Sequence, residues 1–224
     1  LFQAPMQAKV LEKIAEKGRD GFYKGEVAED MVSSLNALGG THSLEDLENV
    51  KCNYTTPISG KYGNIEMFEH PPNGQGATAI CINNILSHFD IKSMDAFGVQ
   101  RTHIEAEATK LAYDARNRFI ADKSNRIDHM LSMETAKNLA SLINPRSVTV
   151  NVKSITESVH KETICLTIVD KDLMSVSLIY SVFHSFGSGF ASSKYGINFQ
   201  NRGAGFTLER NHPNEVGAKK RPMH

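Results

Sequence analysis

From Ala4 to Leu38 the apolar positions recur at helical spacing. Val10, Leu11 and Ile14 share one face of a helix that Gly18 ends. A second helix starts near Gly25, buries Val27, Met31, Val32 and Leu35, and stops at Gly39-Gly40. Thr41 to Leu47 reads as the capped start of a short helix. Between Cys52 and Glu69 the pattern predicts a pair of strands, with Pro57 in it and a turn at Tyr62-Gly63-Asn64. The loop His70-Pro-Pro-Asn-Gly-Gln-Gly76 leads into a helix over Ala77 to His88. A strong amphipathic stretch, Gln100 to Phe119, turns Ile104, Ala108, Leu111, Ala112 and Ala115 inward. Met130 to Leu142 forms another helix, capped near Ser132 with Glu134 in its first turn and stopped at Asn144-Pro145. Pro145 to Lys161 is polar and irregular.

Then the period changes from that of a helix to that of a strand. Thr163 to Val169 and Ser175 to Phe183 are rich in β-branched residues and predict a hairpin. With Lys171-Asp172-Leu173 as its loop, Asp170 pairs with Met174 and Ser181 falls opposite Thr163. Strand side chains alternate, so Thr163, Cys165 and Thr167 share one face with Ser175, Ser177 and Ser181. Ile164, Leu166, Ile168, Val176, Leu178 and Val182 lie on the other. A small polar face beside the Gly187-Ser188-Gly189 loop is either the wet side of an edge hairpin or a site.

Composition narrows the classes. The 224 residues suffice for one large or two small domains with a real core. Lys plus Arg and Asp plus Glu balance at 25 each, which gives neither nucleic acid nor an anionic membrane a claim as main partner. No apolar run is long enough to span a bilayer, and no signal peptide opens the chain. The opening Leu-Phe-Gln-Ala-Pro lacks an initiator Met, so a longer precursor is expected. The compartment stays open, cytoplasmic being favoured over periplasmic or secreted. Cys52, Cys81 and Cys165 have no metal-ligand spacing and read as free thiols. The nine histidines form no HExxH-type motif, and His103 and Glu105, two apart, do not share a helical face. Neither a catalytic metal nor a cofactor is expected. The loop before Ala77 lacks the Lys of a phosphate loop and reads as a strand-to-helix connection.

The run Thr163-Ile-Cys-Leu-Thr-Ile-Val-Asp170, followed by Phe186-Gly-Ser-Gly189 and Gly196-Ile-Asn-Phe-Gln-Asn201, resembles the start of the small subunit in the gamma-glutamyltranspeptidase family. Gly21-Phe-Tyr-x-Gly25, Gly39-Gly40, Asp46-Leu47, the Pro-Pro-to-Gly segment, Glu107-Ala-x-Lys-Leu-Ala112 and Asp114-x-Arg116 resemble its large subunit. The resemblance implies an N-terminal-nucleophile hydrolase, an α/β protein of four αββα layers of which this is a partial chain. It divides the chain into 1–162, the end of the large subunit, and 163–224, the start of the small one. The two would come from one precursor, cut between Glu162 and Thr163, and stay associated.

The implied chemistry is self-consistent. A threonine hydroxyl needs a base. Cleavage would release an α-amine with a pKa of roughly 7.7 to 8.0, which can take the proton from its own hydroxyl. Attack on an amide of a small molecule or peptide gives an acyl-threonine. Water then completes hydrolysis, or an amine completes transfer. Ser181 stands where the family has a threonine supporting the nucleophile. This chain departs from the transpeptidases at Phe183, where they have Asn, and at Arg202-Gly203-Ala204-Gly205, where they have Gln-x-x-Asp. Those departures, with Gln200-Asn201-Arg202-Gly203 and Phe206, are similar to the transpeptidase-related, cephalosporin-acylase-like branch. They imply a substrate pocket with Phe183, Asn201 and Arg202, in which Phe183 is apolar and Arg202 either pairs with a substrate carboxylate or is a surface or ion-paired arginine. The family's oxyanion-hole glycines would lie beyond His224, so the chain alone should be inactive. Thr207 to Pro222 is short for a lid. True gamma-glutamyl transfer, a non-cleaving homologue that binds or scaffolds, and a hydrolase using Cys165 are the alternatives.

Overall fold

The computed structural model describes residues 3–148 and 164–224. In chain order the elements are α1 (Pro5–Lys17), α2 (Asp20–Tyr23), α3 (Gly25–Ala37), α4 (Leu44–Glu48), β1 (Ile58–Tyr62), β2 (Ile65–Glu69) and α5 (Gly76–Leu86). Then come α6 (Val99–Phe119), α7 (Ile127–Leu131), α8 (Met133–Ala140), β3 (Ile164–Val169) and β4 (Ser175–Tyr180). Two single 3-10 turns, Ile91–Ser93 and Arg202–Gly205, complete the set.

The local signals act as their chemistry predicts. Pro5 opens α1, where its missing N–H costs nothing. Ser43 and Asp46 close a reciprocal capping box on α4, Ser43 Oγ accepting from Asp46 N at 3.2 Å and Asp46 Oδ2 from Ser43 N at 2.8 Å. Ser132 Oγ caps α8 by accepting from Thr135 N at 3.1 Å. The short α2 and α7 lack the length for a periodic signal, and the sequence pattern passes over them.

The chain divides into two compact units, Leu1–Asn53 with Ser158–Arg202, and Tyr54–Glu157 with Gly203–His224. In the second, α5 is mostly apolar, and its Ala77, Cys81 and Ile85 pack with Ile104, Ala108, Leu111 and Ala112 of α6 in one core. Of the buried polar side chains there, Asn84, Arg116 and Glu107 have partners, while Thr78 Oγ1 has none among the described residues. Asn84 Nδ2 donates to Leu131 O at 2.9 Å, and the Arg116 guanidinium, 9% exposed, reaches Gln75 Oε1 at 3.0 Å and Asn117 Oδ1. Glu107, 2% exposed, pairs with Lys110 at 2.5 Å. The end of the chain is tied to this unit by His224 N on Asn73 O, Asn73 Nδ2 on Pro222 O, and Arg221 on Asp122.

In the first unit the apolar core is small: Val10, Val27, Met31 and Tyr195, with Ile14, Phe22, Ile197 and Phe199 against it. Here the sequence pattern misleads. Val32 and Leu35 are only half-buried and Leu11 is 67% exposed, while the polar Asp30 and Ser34 are buried. Their face of α3 meets the turn Ser192–Tyr195, whose backbone amides need acceptors. Asp30 Oδ1 accepts from Lys194 N at 2.9 Å and Oδ2 from Tyr195 N at 3.0 Å, and Ser34 Oγ accepts from Ser193 N at 2.9 Å. Burial pushes the Asp30 carboxyl up, but hydrogen bonds from Ser192, Tyr195 and Lys194 outweigh it and hold the group below the usual range. Glu26, one turn earlier, takes the Tyr195 hydroxyl at 2.9 Å and the Lys194 ammonium at 3.2 Å.

Among the described residues no helix is long and apolar enough to cross a membrane.

Two predictions follow from this junction. Replacing Asp30 by Ala leaves two backbone amides without acceptors and should lower unfolding stability by about 2 to 4 kcal/mol, read by urea denaturation, with Asp30→Asn costing less. Glu26 is held at about 2, below its usual 4.5, by the Tyr195 hydroxyl first and then by Lys194 and Lys13. A depressed carboxyl contributes stability above pH 4.5 that is lost as pH falls towards 2. The unmodified protein should therefore lose stability more steeply than Glu26→Gln across that interval.

Candidate active site

The hairpin β3–β4 pairs in the register expected from its turn. Ile164 lies opposite Tyr180, Leu166 opposite Leu178 and Ile168 opposite Val176, and Asp170 N donates to Met174 O at 3.0 Å. The turn is closed from within, as Asp170 Oδ1 accepts from both Asp172 N and Met174 N at 2.9 Å. Leu173 takes the left-handed conformation, at φ 64°. The apolar ladder Ile164–Tyr180, Leu166–Leu178 and Ile168–Val176 is exposed, as is the opposite face with Cys165, Thr167 and Ser177. Thr163 and Glu162 lie outside the described residues.

Beyond β4 the backbone reverses. Ser181 Oγ accepts from Phe183 N at 2.9 Å, and Phe183 sits at φ 83° with 6% of its surface exposed. A bulky residue there costs about 1 to 3 kcal/mol and persists only if its neighbours hold it. They do. The His184 ring stacks on Phe183 at 4.7 Å, and the Arg202 guanidinium lies 5.5 Å from the centre of the same ring. Asn201 N donates to Val182 O at 3.2 Å, while Ser188 N and Phe199 N exchange bonds with Phe199 O and Phe190 O at 2.8 and 3.0 Å. The Phe186–Phe190 loop is thus paired with the returning segment Phe199–Asn201.

Gly187 makes that approach possible. At φ 59°, its missing Cβ would stand 2.3 Å from Phe199 O. Gly189, at φ 77°, faces open space.

Four of the residues singled out in the sequence therefore come together. Arg202 donates to Ser181 O at 2.9 Å, next to the Ser181 hydroxyl, the Phe183 ring and Asn201. Burial pulls the Arg202 pKa down, and no carboxylate among the described residues opposes it. Asn201 turns its side chain to His184, with Oδ1 accepting from His184 N at 3.1 Å and Nδ2 lying 2.7 Å from His184 Nδ1. His184 was not a sequence candidate, and only its place between Phe183 and the glycine loop marks it. Cys165 is an exposed free thiol on β3, and His184, the histidine that follows the hairpin, is engaged by Asn201. Among the described residues no cluster of His, Cys, Asp and Glu side chains is placed to hold a metal ion.

The described residues thus combine a mixed helix-and-sheet fold with a hairpin, hydroxyl-bearing on one face, that runs into a glycine loop. The family model of gamma-glutamyltranspeptidase matches residues 1–224. The glutathione hydrolase-like YwrD proenzyme of Bacillus subtilis is 30% identical over 97% of this chain and 41% of its own length. The oxamate amidohydrolase proenzyme of Klebsiella pneumoniae is 30% identical over 100% of this chain and 42% of its length. The crystal structure of cephalosporin acylase from Bacillus halodurans superposes with a TM-score of 0.84 at 31% identity, covering 100% of this chain and 40% of that one. The chain belongs to the gamma-glutamyltranspeptidase family and has the α/β fold of its N-terminal-nucleophile hydrolases. It spans about two fifths of the length of these relatives.

The two loop glycines should separate in a denaturation experiment. Gly189→Ala meets only the left-handed backbone penalty, about 1 to 2 kcal/mol. Gly187→Ala adds a backbone clash and should cost clearly more.

Proposed function

We propose that the full-length protein is a self-processing amide hydrolase or acyltransferase, with Thr163 as nucleophile and its freed α-amine as base. Cleavage between Glu162 and Thr163 forms the amine. The threonine Oγ then bonds to the amide carbonyl carbon, its proton passes to the amine and on to the leaving nitrogen, and the C–N bond breaks. Water or an acceptor amine takes the acyl group in the second half. Family membership supports the mechanism, and the hairpin register supports the placement, since its next rung beyond Ile164–Tyr180 would bring Thr163 to Ser181. A hydroxyl that accepts one bond from Phe183 N can donate another, as a support for the nucleophile must.

The single observation that carries the substrate class is Arg202. It is a partly buried guanidinium held beside Ser181, over an apolar ring, with no carboxylate of the described residues paired to it. A guanidinium so placed suits a carboxylate on the acyl group, bound through two parallel N–H donors. Gly205 stands where the transpeptidases have an aspartate, so a free α-amino group is not the recognised feature. The names of the relatives agree in outline, as oxamate and glutathione both carry a carboxylate besides the amide.

Intact mass and N-terminal sequencing of the full-length protein test the mechanism. Two fragments are expected, one starting at Thr163, with Thr163→Ala staying whole. A single uncut chain in both would leave a binding or scaffolding homologue. Substrate class is tested with glutaryl-p-nitroanilide against pentanoyl-p-nitroanilide, which differ by the distal carboxylate. Arg202→Ala should raise KM for the glutaryl compound about 10- to 100-fold and leave the pentanoyl compound almost unchanged.

A further inference from the structure

Asn201 and His184 are joined at two points, and together these orient the amide and the ring. The His184 backbone N–H can only donate, so the atom it meets at 3.1 Å is the Asn201 carbonyl oxygen. The amide nitrogen must then face the ring, 2.7 Å from Nδ1. Nδ1 is therefore the ring atom that accepts, which leaves Nε2 as the ring's donor. Both ends of the Asn201 amide are taken up by the same residue.

That residue supports the strained one. The His184 ring stacks on Phe183 at an interplanar angle of 28°, and Phe183 is the bulky side chain at φ 83°. Arg202 lies over the same ring and gives one N–H to Ser181 O, while Ser181 Oγ takes Phe183 N. The direction of the remaining Arg202 donors thus depends on Phe183 and Ser181. Their positions depend in turn on a ring that Asn201 holds at Nδ1 and at the His184 backbone N–H.

We propose that Asn201 and His184 are positioning residues, a two-point clamp that fixes Phe183 and so aims Arg202 at the distal carboxylate of the acyl group. Asn201 is then not itself a substrate contact. The inference rests on the reading of Arg202 given above and adds two residues that act through it. Loss of the clamp lowers selectivity for a distal carboxylate, whereas a general loosening of the fold weakens every ligand alike.

The test is calorimetric titration of glutarate and pentanoate into the full-length protein and its variants, beside thermal melts. These are the two acyl products, with and without the distal carboxylate, and their binding does not require catalysis. Asn201→Ala and His184→Phe, the latter keeping an aromatic ring but no Nδ1, should weaken glutarate at least tenfold and pentanoate less than threefold. His184→Asn puts an acceptor oxygen where Nδ1 stands and should retain glutarate affinity to within about threefold. Equal weakening of both acids, unchanged glutarate affinity in Asn201→Ala, or no glutarate binding in the unmodified protein would each overturn the clamp. A chain uncut at Thr163 that still shows the expected pattern would sink the hydrolase reading and leave the clamp standing.

Discussion

A single carboxylate, that of Asp30, meets the amides of Lys194 and Tyr195, and the arm after the hairpin is built outward from that contact. The turn it holds pairs Ser192 with Ile197. The strand-like return then pairs with Phe190 and Ser188, and finally Asn201 with Val182. The apolar core of this unit is too small to fix such an arm alone, since among the described residues its buried cluster consists of Val10, Val27, Met31 and Tyr195. Directional bonds from a buried carboxylate do what burial area cannot, because each amide has one position in which it is satisfied.

The same economy governs the site. Phe183 and Phe186 take left-handed backbone angles that bulky residues avoid, and Gly187 and Gly189 sit beside them. Such a cluster is stable only when over-determined. The Ser181 hydroxyl, the His184 ring and the Arg202 guanidinium each contact Phe183. Strain and restraint fall on one residue, next to a guanidinium that no described carboxylate neutralises. The second unit shows the contrasting strategy. There Asn84, Arg116 and Glu107 are all satisfied within α5 to α8 or their flanks, and the apolar packing of α5 on α6 carries the fold.

Much of this was readable in the chain. Apolar period, caps and the Asp170 turn are local properties, set by side chains within a few residues of each other. So α1, α3, α5, α6 and α8, both hairpins and the β3–β4 register could be placed from the sequence. The motifs from Thr163 to Phe206 also singled out Ser181, Phe183, Asn201 and Arg202 as site candidates. What periodicity could not show was which helix positions would meet a polar partner. Asp30 and Ser34 are buried because a segment some 160 residues later in the chain brings them backbone amides (Ser34 is 159 positions from Ser193). Val32 and Leu35, which the periodicity placed in the core, are only half-buried.

His184 makes the distinction plainest. In the sequence it is one histidine of nine, without spacing or motif. Only the tertiary structure sets Asn201 against both its amide and its ring and so decides which ring nitrogen accepts, its stacking on Phe183 and the setting of Arg202. The sequence by itself determined the elements, the turn chemistry and the family, because these depend on short-range preferences and on motifs in order. Which polar groups meet, and which charge is left without a partner, depends on atoms brought together from distant parts of the chain, and no local pattern contains that.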